Sequence, residues 1–185
     1  LNDFANVMRG IATGANEFFF LTAQQANEVG IPQRFLKRAV GRTKDVTGNI
    51  LTLKDVDELE KENRPTFLLS LNGHDNLPKA ISSYLKVGEE MGLPVRPLIQ
   101  QRKPWYKMEK RQIPPLLFAY LGRRNVRFIK NEAGVLPLTG FLCVYPIYDE
   151  KEFIDKLWQA LNHPDTLENL KFVGKSYGSG AIKVE

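Results

Sequence analysis

Two stretches of the chain carry side chains suited to holding a polyanion. Gln101-Arg102-Lys103-Pro104-Trp105-Tyr106-Lys107 and Gly122-Arg123-Arg124-Asn125-Val126-Arg127 mix cationic groups with aromatic rings and amides. Arg and Lys neutralise phosphates or donate to guanine, Trp and Tyr stack on bases or sugars, and Asn or Gln can read adenine in bidentate fashion. The charge around these stretches is concentrated. Between Arg96 and Lys130 ten basic residues stand against Glu109 alone, a surplus of nine, whereas the whole 185-residue chain carries only +5. Composition leaves a second reading open, a protein-interaction module whose basic, aromatic face meets an acidic partner. It also leaves open a solvated basic face with Trp105 and Tyr106 in the core.

Other chemistry finds less support. Gly174-Lys175-Ser176-Tyr177-Gly178 has the spacing of a hydrolase nucleophile elbow, but that motif needs a strand-to-helix turn and a downstream histidine base, and neither is present here. Gly178-Ser179-Gly180 lacks the third glycine and the setting of a dinucleotide loop, and there is no phosphate-binding Gly-Lys-Ser/Thr. Asp149, Glu150 and Glu152 read as acids favouring a helix N-terminus, His74 as a turn residue and His163 as a helix-end residue. One cysteine, Cys143, and two histidines make neither an internal disulfide nor a cysteine/histidine zinc site. No catalytic, cofactor-binding or metal-ligating residue is therefore assigned. No long apolar run or leader pattern is read, so a cytoplasmic location without membrane contact is expected.

The elements that must position the basic stretches follow from local chemistry. Leu1 to Thr22 predicts a hairpin, with Thr13-Gly14-Ala15-Asn16 as its turn. Thr22 is placed to cap a helix that ends at Gly30, and Pro32 to open another carrying Phe35, Leu36 and Val40. Strands are expected at Ile50 to Leu53, Thr66 to Leu71, Leu116 to Leu121, Val126 to Ile129 and, centrally, Phe141 to Tyr145. Helices are expected over Asp55 to Glu62, Leu77 to Met91, Glu152 to Leu161 and Thr166 to Lys175. Hairpins interspersed with helices, with no long linker, predict a single α+β domain over residues 1–185 with mixed sheets and peripheral helices.

Several phrases, in order, resemble the C-terminal target-recognition domain of adenine-N6 DNA methyltransferases of restriction–modification systems, the TaqI-like group. They are Arg9-Gly10-Ile11-Ala12-Thr13-Gly14-Ala15-Asn16-Glu17-Phe18-Phe19, Arg102-Lys103-Pro104-Trp105-Tyr106, Phe128-Ile129-Lys130-Asn131 and Ser176-Tyr177-Gly178-Ser179-Gly180-Ala181-Ile182-Lys183-Val184-Glu185. The resemblance spans nearly the whole chain. It implies a module that holds and reads double-stranded DNA while a separate N-terminal domain binds S-adenosylmethionine and methylates a flipped adenine. That domain's signature is Asn/Asp-Pro-Pro-aromatic. Ile113-Pro114-Pro115-Leu116 has only the prolines and reads as the start of a strand, and no cofactor glycine loop occurs. The resemblance thus implies a fragment of a longer methyltransferase with no cofactor of its own, its last phrase interrupted and apolar surface exposed where the catalytic domain docks. DNA contacts are expected from Arg9, Thr13, Gly14, Asn16, Arg102, Lys103, Trp105, Tyr106, Lys107, Arg111, Arg123, Arg124, Arg127 and Lys130. The recognised base string is not legible, because readout depends on which side chains enter the groove.

Overall fold

The computed structural model describes residues 1–74, 76–120, 126–173, 175–177 and 181–183, the last stretches from residue 171 as backbone only. In chain order the elements are β1 (Ala5–Arg9), α1 (Asn16–Phe19), β2 (Phe20–Leu21), α2 (Ala23–Val29), β3 (Leu36–Val40), β4 (Ile50–Leu51), α3 (Leu53–Lys61) and β5 (Phe67–Leu69). They continue with α4 (Lys79–Glu90), β6 (Leu116–Ala119), β7 (Arg127–Asn131), β8 (Leu136–Pro137), β9 (Leu142–Pro146), α5 (Lys151–Leu161), α6 (Pro164–Val173), β10 (Lys175–Tyr177) and β11 (Ala181–Lys183). One sheet has the order β1-β9-β6-β7-β4, a second β2-β5-β3-β8, and β10 pairs with β11 alone. The mixed sheets and helices make this an α+β fold, as the pattern of turns and periodicities predicts.

Strand β6 shows why its apolar run is unbroken. Leu117 and Ala119 enter a core shared with Val40, Leu51, Val56, Ile129 and Phe141. Leu116 and Phe118 enter another, packed beneath Leu157 and Trp158 of α5. A strand buried on both faces has no polar face to show. Beside it, β4 reaches only the far end of β7, pairing at Lys130 and Asn131. Helix α5 takes the backbone groups left over: the Asn162 side chain bonds both Phe128 N–H and C=O, and Trp158 Nε1 donates to the same carbonyl at 3.0 Å.

Helix starts obey local capping chemistry. Thr22 and Gln25 form a reciprocal capping box on α2, which stops at Gly30 in the left-handed conformation (φ 74°). Thr52 and Asp55 do the same for α3. Hydrogen bonds from the Thr52 hydroxyl (2.6 Å) and then its backbone N–H (2.7 Å) hold the Asp55 carboxyl below the usual carboxylate range. A carboxyl whose folded pKa is depressed contributes stability above its unfolded pKa, near 4, and loses it as pH falls through the folded value. Replacing Asp55 with Asn should therefore flatten part of the loss of stability between neutral and acid pH, as read from urea midpoints across that range.

Two expected elements are corrected. The first 22 residues are not a hairpin. β1 pairs antiparallel with β9, from Ala5 opposite Pro146 to Arg9 opposite Leu142, while β2 pairs with β5 in the other sheet. The chain between them crosses from sheet to sheet because Phe18 and Phe19 are drawn into the core beside Tyr84 and Trp105. Nor does Pro32 open a helix. A single 3₁₀ turn, Gln33–Phe35, leads into β3, whose Leu36, Ala39 and Val40 are buried between antiparallel β5 and parallel β8.

Candidate nucleic-acid interface

The crossing segment between β1 and α1 is gripped by the basic stretch, and the grip uses arginines. Arg96 donates to Glu17 at 2.6 Å and to the Gly14 carbonyl at 3.4 Å. Arg102 donates to the Ala12 carbonyl at 2.7 Å, and Arg111 to the Arg9 carbonyl at 3.2 Å. Each guanidinium offers several N–H donors in a fixed plane, which suits it to backbone carbonyls in a way an ammonium does not match. Burial lowers the Arg102 pKa, and the nearby Glu109 carboxylate opposes that shift. Glu17 is held below the usual carboxylate range by the Arg96 hydrogen bond.

Within the gripped segment the polar groups are ordered. Buried Thr13 donates its hydroxyl to Asn16 Oδ1 and accepts from Ala15 N–H. Gly14 has φ 78°, and a Cβ there would lie 2.8 Å from Ile99 Cγ1, so both backbone conformation and space call for glycine.

The lysines of the same stretch are differently employed. Among the described residues Arg9, Lys103, Lys107 and Lys110 form no ion pair. A groove of about 390 Å³ is lined by Arg9, Ala12, Leu98, Gln101, Arg102, Lys103, Lys107, Met108 and Glu109. An adjoining groove shares Arg9, Ala12 and Leu98 with it and adds Thr13, Gly14, Ala15, Asn16, Glu17 and Thr139. Lys110 and Arg111 line a further recess beside Asn6 and Tyr145. The two grooves sharing Arg9 therefore bring together Arg9, Thr13, Gly14, Asn16, Arg102, Lys103 and Lys107, from two segments distant in sequence.

Other expected contact residues lie elsewhere. Trp105 and Tyr106 pack on the core; the Trp105 ring lies 5.9 Å from Phe18, 6.0 Å from Phe19 and 5.8 Å from Tyr106. Arg127 turns to the connection between β3 and β4, donating to the carbonyls of Thr43, Val46 and Gly48. Lys130 pairs with Asp155 and Glu132 and lies 5.9 Å from the Trp158 ring. These carboxylates, the Asp155 hydrogen bond first, raise its pKa. Arg123 and Arg124 lie outside the described residues. The basic stretch thus divides, and charge counting had assigned all of it to one face. Glu17, Leu98, Gln101, Met108, Glu109 and Thr139 are among the lining residues not expected as contacts; Gln101 had a signal as an amide of the basic stretch and Glu109 as its lone acid.

The remaining candidates for chemistry fall away on geometry. Ser176 lies in β10, a strand following helix α6, the reverse of the order an elbow needs. His74 stands edge-on to Phe35, and His163 lies beside Asp165 between α5 and α6. No cluster of three or more His, Cys, Asp or Glu able to hold a metal occurs among the described residues. No described helix is long and apolar enough to cross a membrane. A separate apolar groove of about 630 Å³ is lined in part by Leu1, Phe4, Phe153, Leu157 and Leu170.

The fold is one found inside a much longer enzyme chain. Over 98% of its length the protein is similar in structure to the type IIG restriction endonuclease BpuSI, with a TM-score of 0.58 and 17% identity, covering 22% of that chain. The protein belongs to the family of the C-terminal domain of the Type II methyltransferase M.Eco57I, whose family model matches residues 1–185. It is also similar to the Type II methyltransferase M.AccI of Acinetobacter calcoaceticus, at 33% identity over 98% of the chain. The chain spans about a third of that relative's length, 34%. The kinship with methyltransferases of restriction–modification systems, expected from the phrases shared with that group, is borne out.

Proposed function

We propose that this domain holds and reads double-stranded DNA for a S-adenosylmethionine-dependent adenine-N6 DNA methyltransferase of a restriction–modification system. The observation that carries the reading is the pair of grooves that gathers Arg9, Lys103 and Lys107, which form no ion pair among the described residues, around the ordered Thr13-to-Asn16 turn. Cations with no ion pair among the described residues are available to neutralise phosphate, and the exposed Asn16 amide and the turn's backbone lie beside them for closer contacts.

Methyl transfer and the cofactor belong, in this reading, to the rest of a longer polypeptide. The chain has no Asn/Asp-Pro-Pro-aromatic phrase of the kind that holds a flipped adenine and no glycine loop of the kind that holds S-adenosylmethionine. The apolar groove at Phe4 and Leu157 is where the proposal seats that remainder. The domain's own contribution is to hold the duplex, offsetting the few kcal/mol that base flipping costs.

Titration of a labelled duplex with the 185-residue chain at a series of salt concentrations tests this. Log affinity should fall with log salt with a slope near −3 to −4, about 0.9 for each phosphate neutralised by Arg9, Lys103, Lys107 and Lys110. A flat dependence, or binding to an acidic protein that duplex DNA does not displace, would overturn the reading in favour of a protein-interaction module.

A further inference from the structure

Glu109 is the one acid in a stretch with ten basic residues, and simple electrostatics makes it a burden on any polyanion-binding face. Its contacts point the other way. Oε1 accepts the Ala12 backbone N–H at 2.9 Å, and Oε2 accepts Arg111 Nη2 at 2.7 Å. The Ala12 carbonyl is taken by Arg102, so both hydrogen-bonding groups of one residue are held by side chains of opposite charge. Arg111, anchored on Glu109, in turn holds the Arg9 carbonyl. The carboxylate is itself fixed from behind, because the Asn72 amide bonds both backbone groups of Met108, at 2.8 and 3.1 Å.

Resting on the DNA reading above, we propose that Glu109 is a positioning residue for duplex binding. It sets the backbone from Arg9 to Ala12, and through it places the Arg9 side chain and the Thr13-to-Asn16 turn opposite Lys103 and Lys107. A carboxylate suits this place because it can accept a backbone N–H and a guanidinium on two separate oxygens, which no neutral side chain of the same reach does equally well.

The test sets two influences against each other. Glu109→Ala raises the net charge by one, so a purely electrostatic role predicts tighter binding. Loss of the clasp predicts weaker binding, about tenfold, the equivalent of one charge-assisted hydrogen bond's worth of ordering. Glu109→Gln, isosteric and able to accept from Ala12 but not from Arg111, should fall between Ala and wild type. It also serves as the measurable variant if the Ala form does not fold. Glu90→Ala, on the exposed end of α4, makes the same charge change and should leave affinity unchanged or slightly increased. Amide exchange over residues 9–16, measured without DNA, should accelerate in both Glu109 variants. Affinity equal to or above wild type in the folded variants overturns the positioning role, and unchanged exchange overturns the clasp. Absence of duplex binding by the wild-type chain overturns the DNA reading, and the positioning role with it.

Discussion

Replacing Arg9, Lys103 and Lys107 together with alanine is expected to weaken duplex binding by on the order of a hundredfold, at about 1 kcal/mol per phosphate contact once salt screening is allowed for. The slope of log affinity against log salt should become shallower by roughly 2.7, three contacts at about 0.9 each. Stability should barely move, since these side chains form no ion pair among the described residues and surface substitutions away from special features cost within ±0.5 kcal/mol. Fluorescence anisotropy across salt and a thermal melt on the same sample check both halves. Binding that survives with its salt slope intact would move the interface away from this groove.

The second large effect is on folding. Trp105→Ala should lower stability by about 3 kcal/mol, toward the low end of the range for aromatic truncations because the ring is half-buried. The ring sits among Phe18, Phe19 and Tyr106, and α4 approaches so closely that a Cβ on Gly88 would lie 2.6 Å from Trp105 Cη2. Gly88→Ala should accordingly destabilise the wild type and cost less in the Trp105→Ala background, a coupling that urea denaturation of the four proteins measures. If Trp105→Ala left stability untouched and abolished binding, the ring would be a stacking platform for a base instead of a core residue.

Local chemistry was legible and non-local partnership was not. The Thr22 cap, the Gly30 stop and the uninterrupted run of β6 are dictated by neighbours a few residues away, and they form as read, whereas the strand expected through Leu53 stops at Leu51 because Thr52 caps α3. The first hairpin failed because the partner of β1 is β9, more than a hundred residues downstream, and a strand's partner is not written in its own residues. The segment after Pro32 carries apolar residues compatible with helix or strand, and the neighbouring β5 and β8 decided for strand.

The candidate site was legible as a composition but not as a division of labour. The phrases around Arg9 and Arg102 meet in space, as one binding surface requires. Counting charges could not tell that Arg96, Arg102 and Arg111 hold backbone carbonyls while Lys103, Lys107 and Lys110 have no ion pair among the described residues. Nor could it tell that Arg127 serves the connection after β3 and that Lys130 pairs with Asp155 within α5. Those assignments depend on which carbonyls and carboxylates tertiary packing brings within reach of a long side chain.

Lysine acetylation mapped by mass spectrometry, with and without a saturating duplex, tests the placement of the DNA most directly. The account predicts that Lys103, Lys107 and Lys110 become protected, while Lys61 at the end of α3 and Lys151 at the start of α5 react as in the free protein. Protection confined to Lys61, Lys151 or Lys156, with Lys103 and Lys107 still reactive, would contradict it.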